Sequence, residues 1–196
     1  TKLLINCLSH KQVSVRRQAT WRLANRHPVA SALTLLLKQL GVGGIDTMHA
    51  HNTLEKWADS QPQLISQSVM NALLTHSDGL IRARLVDLLG VLDGEAVTQL
   101  LSQIAADTKE SVPVRISAIS ALGGRAGTFS ILLNQLAQQE SDIGAYATLA
   151  IHDQKVQQHT PSTSVDDGLR VCQLVLAQMD KSLSNGGCGD TGGVAS

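Results

Sequence analysis

The chain has 196 residues and no net formal charge, with 43% hydrophobic but only 2% aromatic residues. That length can bury a full core without disulfides or metals. The scarcity of aromatics argues against a β-sandwich or barrel, and the Leu, Ala, Val and Ile that remain favour packed helices.

From the N-terminus, the first apolar runs have the i, i+3, i+4 spacing of one helix face. Leu3-Leu4-Cys7-Leu8 is followed by Val15 to Ala24, then by Leu33-Leu36-Leu37-Leu40. This opening stretch, residues 1 to 45, carries Lys2, Lys11, Arg16, Arg17, Arg22, Arg26 and Lys38 and no acid, so it is +7 and the remainder of the neutral chain is −7. Such asymmetry suits a solvated helix edge, an end that docks on a neighbouring domain, or an acidic or nucleic-acid partner. The chain starts at Thr1 without Met and reads as a piece of something longer. No signal peptide is visible, which leaves the compartment open, with the cytoplasm slightly favoured.

The decisive pattern is internal repetition. Val15 to Ala24, Ile81 to Gly90 and Val114 to Gly123 each read as aliphatic, Arg, two variable residues, an apolar residue, and then Leu and a small residue. A weaker copy runs from Asp46 to Glu55, with Ala50 and Leu54 in place, and another from Ile143 to His152, where Gly144 stands in the Arg position. Further amphipathic runs alternate with these copies: Ile65-Val69-Leu73, Val97-Leu100-Leu101-Ile104 and Leu132-Leu133-Leu136. Turn residues separate them at His27-Pro28, Gly41 to Gly44, Gln61-Pro62, Asp93-Gly94 and Gly123-Gly124. Each unit is thus a helical hairpin, an outer helix followed by an inner one, and Asp78 is placed to N-cap the inner helix that begins near Ile81.

This apolar-Arg-x-x-Ala pattern closing on Leu-Gly resembles HEAT repeats, in particular the bacterial subtype found in bilin-lyase subunits. The resemblance implies an all-α, right-handed α-α superhelix of about five hairpins over residues 1–152. It also implies that Arg16, Arg82 and Arg115 form an internal ladder to turn acids, with Asp78 suited to Arg82. Beyond the array, residues 153–164 read as a polar linker, 165–184 as an apolar C-terminal capping helix, and 185–196 as a flexible Gly-rich tail.

Chemistry-bearing motifs are scarce. There is no phosphate loop and no dinucleotide fingerprint. His-Glu pairs, which the similar HEAT-fold di-iron hydroxylases repeat, do not occur. His49 and His51 project about 200° apart on a helix and could not grip one metal from it. Cys7, Cys172 and Cys188 are far apart and form no Cys-x-x-Cys. No catalytic set, cofactor or metal is therefore expected, and no membrane-spanning run is present.

What remains is a surface. With Val15, Ala19 and Leu23 facing the core, Arg17 and Trp21 fall on the far side of the first inner helix. The same positions in later units hold Met48, His49, Asn52, Ala83, Arg84, Asp87, Ile116, Ser117, Tyr146 and Leu149. They are expected to line a concave ribbon that binds another protein or a neighbouring domain of a parent chain. Three other readings stand beside this one: a tetrapyrrole-handling subunit like the bilin lyases, a module of a large extracytoplasmic dehydrogenase or cytochrome-type protein, and nucleic-acid binding through the basic end. Neutral charge and few stacking aromatics make nucleic acid the weakest of these.

Overall fold

The computed structural model describes residues 1–125 and 129–158, together with positions 173, 176 and 177. Among the described residues it is wholly α-helical, with ten helices and no strand. They are α1 (Lys2–Cys7), α2 (Val13–Ala24), α3 (Ala30–Gln39), α4 (Gly44–Ser60), α5 (Pro62–Thr75), α6 (Gly79–Gly90), α7 (Glu95–Ala106), α8 (Val112–Gly123), α9 (Ser130–Ala137) and α10 (Asp142–Gln158). The chain divides into two compact units, Thr1–Leu122 and Gly123–Ser196.

In the first unit, α1 packs on α2, α3 on α4 and α5 on α6, as the alternating amphipathic runs predict. The even-numbered helices form an inner layer in which α4 touches both α2 and α6, and α3 touches α5 in the outer layer. Two layers of stacked hairpins make the α-α superhelical arrangement expected from the repeats. Local signals place the helix starts. Asp78 accepts backbone hydrogen bonds from Leu80 and Ile81, satisfying two donors that α6 would otherwise leave unpaired. Pro62 opens α5, where its missing N–H costs nothing.

The core lies between the layers. Leu23, Leu36, Leu54, Ile65, Leu85, Leu89, Leu101 and Ile119 are fully buried there. Trp57 joins them at 1% exposure, and its indole Nε1–H donates to the Leu23 carbonyl at 3.2 Å, so α4 is both packed and bonded onto α2. Thr53, one turn earlier, donates within its own helix to the His49 carbonyl at 2.8 Å and lies 3.4 Å from the Thr20 carbonyl of α2.

The second unit contains the hairpin of α9 and α10. Here the structure departs from the sequence-based boundary: α10 continues through 153–158, where a polar linker was expected. The polar residues after Ile151 form the outer turns of a helix rather than a loop, and Gln154 is buried with its amide donating to the Arg125 carbonyl at 3.4 Å. The rest of the expected linker, the capping helix over 165–184 and the tail over 185–196 lie outside the described residues, except that Gln173, Leu176 and Ala177 are helical and exposed. Cys172 and Cys188 also lie outside them, and Cys7 is free and half-buried.

Candidate functional site: the ladder and the open face of the inner layer

Two features follow from the repeat register, one internal and one facing solvent. The internal one is the position of Arg16, Arg82 and Arg115. Arg16 donates to the His10 and Lys11 carbonyls at 2.8 and 2.9 Å, and from Nε to Asp46 at 3.0 Å. Arg82 repeats the geometry one hairpin pair later, on the carbonyls of Leu73 and His76 and on the carboxylate of Glu110. Arg115 is buried and donates to the Ala105 carbonyl at 3.1 Å. Arg82 and Arg115 meet carbonyls at or just past the C-terminal end of the preceding outer helix, where the helix dipole favours a cation, and Arg16 meets the loop between α1 and α2. Arg16 and Arg82 also reach forward to an acid at the start of the next inner helix.

The acid beside Arg82 is therefore Glu110 and not Asp78, whose carboxylate is occupied capping its own helix. Arg82 holds the Glu110 carboxyl below its ordinary range, chiefly through the side-chain hydrogen bond, although partial burial opposes this. The signal that could have located both acids is distance along the chain, since Asp46 and Glu110 lie 30 and 28 residues after their arginines, close to one repeat.

The units without Arg solve the same problem differently. Thr47 occupies the position in the second hairpin, and its hydroxyl lies 3.1 and 3.3 Å from the Gln39 and Leu40 carbonyls. Arg84 reaches back from α6 to the Leu40 carbonyl as well. It is half-buried, with one guanidinium nitrogen spent on that carbonyl. In the second unit Gly144 holds the position, and a Cβ there would lie 1.9 Å from the Gln139 carbonyl oxygen. The end of α9 presses so closely on α10 that no side chain fits.

The second feature is the solvent face of the inner layer in the first unit. Trp21 on α2 is 59% exposed and Met48 on α4 is 51% exposed. Arg17, Asn52 and Asp87 are exposed with them, while His49 and Ser117 are half-buried. Ala83 is buried, so the ribbon dips between Met48 and the half-exposed Ile116. Tyr146 and Leu149, on α10 of the second unit, are half-exposed. His51 faces Glu55 along α4 at 3.5 Å instead of pairing with His49. Among the described residues no cluster of His, Cys, Asp and Glu could hold a metal ion, and no helix is long and apolar enough to cross a membrane.

A row that the sequence reading did not single out lies beside this ribbon. Val13, Ile45, Leu80 and Val112 each sit at the first or second residue of an inner helix, and all four are exposed. They recur at nearly the repeat spacing and widen the apolar surface toward the helix starts. A recess of about 730 Å³ is on the other layer, between α3 and α5, lined by Leu33, Leu37, Leu64, Ala72, Lys38 and His76 among others.

No known family model matches the chain. A comparison with curated proteins likewise yields no matching relative.

Proposed function

We propose that the chain is a HEAT-type docking module that holds another protein, or a neighbouring domain of its own polypeptide, on the open face of its inner layer. The observation that carries this reading is the contrast between the two tryptophans. Trp57 is spent on the core at 1% exposure, whereas Trp21, one hairpin earlier, is left 59% exposed with Met48 on the adjoining helix. A protein with so few aromatics gains nothing in stability from an indole in water. Exposed Trp and Met beside Arg17 make the kind of cluster that anchors protein interfaces.

The test is affinity capture from the source lysate with the wild type and with Trp21→Ala/Met48→Ala as bait, after circular dichroism shows both folded. A specific protein retained by the wild type and lost by the variant supports the reading. Unchanged retention overturns it. Arg84 stays unaltered in this test, because removing it would strip a hydrogen bond from the fold itself.

A further inference from the structure

The open face carries more information than its apolar character. In repeat register the inner helices line up in rows across the first unit. One, at the helix starts and staggered by one residue from strict register, is Val13, Ile45, Leu80 and Val112, all exposed. The next is Arg17, Met48, Ala83 and Ile116, and the third is Trp21, Asn52, Asp87 and Ser120. The first two rows give an aliphatic strip with a notch at Ala83. The third turns polar, apart from Trp21 at its α2 end.

The charges along this strip are sorted. At the α2 end Arg17 is exposed, and no acid among the described residues pairs with it. Arg22 is exposed on the same helix, and Asp46 on α4 is buried against Arg16. At the α6 end Asp87 is exposed and equally unpaired. Arg84, one turn before it on α6, is engaged with the Leu40 carbonyl. Between exposed Arg17 on α2 and exposed Asp87 on α6 the inner layer thus presents Ile45, Met48, Leu80 and the dip at Ala83, and the aliphatic rows continue past α6 to Val112 and Ile116 on α8.

The span can be estimated. Neighbouring packed helices lie about 8–10 Å apart, so α2 and α6 are separated by roughly 16–20 Å. A helix covers that distance in about 11–13 residues, or three turns.

We infer that the occupant of this face is an amphipathic helix of about three turns laid across α2, α4 and α6, acidic at the end over α2 and basic at the end over α6. Its apolar side meets Ile45, Met48 and Leu80, with one larger side chain in the notch over Ala83. The inference rests on the docking reading above and adds to it the chemistry and direction of the partner.

The probe is a synthetic helical peptide of about 14 residues with a Leu/Ala face, Glu at one end and Lys at the other, carrying a nitroxide at either end. Emission from exposed Trp21 reports which end lies over α2, while Trp57, buried in the core, supplies a constant background. The nitroxide on the acidic end should quench the wild type, and the one on the basic end should not. Arg17→Glu or Asp87→Lys alone should each weaken binding about fivefold, in a salt-dependent manner. The double reversal should restore affinity and exchange the end that quenches.

Binding that ignores both single reversals, or no binding at all, overturns the inference. Self-association of the chain that is lost in Trp21→Ala would also overturn it, by assigning the face to a second copy. A partner protein captured through Trp21 and Met48 while the peptide is ignored leaves the docking reading intact and removes this one.

Discussion

Arg82 and Glu110 are joined by both Nε and the terminal amino group of the guanidinium, across a chain separation of 28 residues. The same guanidinium bonds two carbonyls behind it, so one side chain fastens three segments. Arg82→Met should therefore destabilise the protein by about 1–3 kcal/mol, because it leaves partly buried acceptors without donors. Glu110→Gln keeps a weaker acceptor and should cost less, about 1 kcal/mol. Urea titration monitored by circular dichroism checks both. A smaller loss for Arg82→Met than for Glu110→Gln would contradict the geometry.

The carboxyl of Glu110 titrates below its ordinary value of 4.5 because Arg82 bonds its charged form. A group with a depressed folded-state pKa contributes stability that is present above the unfolded value and lost as pH falls through the folded one. The stability gap between wild type and Glu110→Gln should thus be constant near neutrality and shrink once pH drops below about 4.5. Melting temperatures of the two proteins across that range are the measurement.

Trp57 and Trp21 should behave oppositely. Trp57→Ala removes a fully buried indole and its bond to Leu23 and should cost about 3–5 kcal/mol. Trp21→Ala should change stability by no more than about 0.5 kcal/mol, as for an ordinary surface site. Iodide quenching separates them without denaturant, since the accessible emission should disappear in Trp21→Phe and persist in Trp57→Phe.

Gly144 offers a test in which the usual sign reverses. Within a helix, Gly→Ala ordinarily gains about 1 kcal/mol. Here the new methyl would meet the Gln139 carbonyl oxygen, so Gly144→Ala should lose about 1–3 kcal/mol and loosen the α9–α10 hairpin. Amide exchange confined to that hairpin would report the effect, and a stabilised Gly144→Ala would refute the close approach.

The repeat made the helical hairpins legible, because a 3.6-residue period and a period of about 33 residues are both written in the apolar positions. The cap at Asp78 was legible for the same reason: capping is local chemistry. The partners of the ladder were not, because Arg16 and Arg82 choose acids that come close only once a second hairpin has folded beside the first. Arg84 shows the same limit in its contact with the Leu40 carbonyl. Helical phase places it near the solvent face, yet a long flexible side chain can turn back to a carbonyl on the previous hairpin. The end of α10 was missed because a polar run reads as a loop unless a neighbouring helix covers one of its faces. Within the ribbon, the exposure of Trp21 and Met48 agrees with phase alone, whereas the dip at Ala83 comes from its small size.

The joints between hairpins differ in kind. Arg16 closes the first on a carboxylate and Arg82 closes the third on another, but the joint between the second and third depends on Arg84 and a neutral carbonyl. Added salt weakens attraction between opposite charges and leaves a carbonyl contact much less affected. Rising ionic strength should then weaken the Arg16–Asp46 and Arg82–Glu110 pairs, while the Arg84 contact and the Trp57 bond that also ties the second hairpin to the first are left standing.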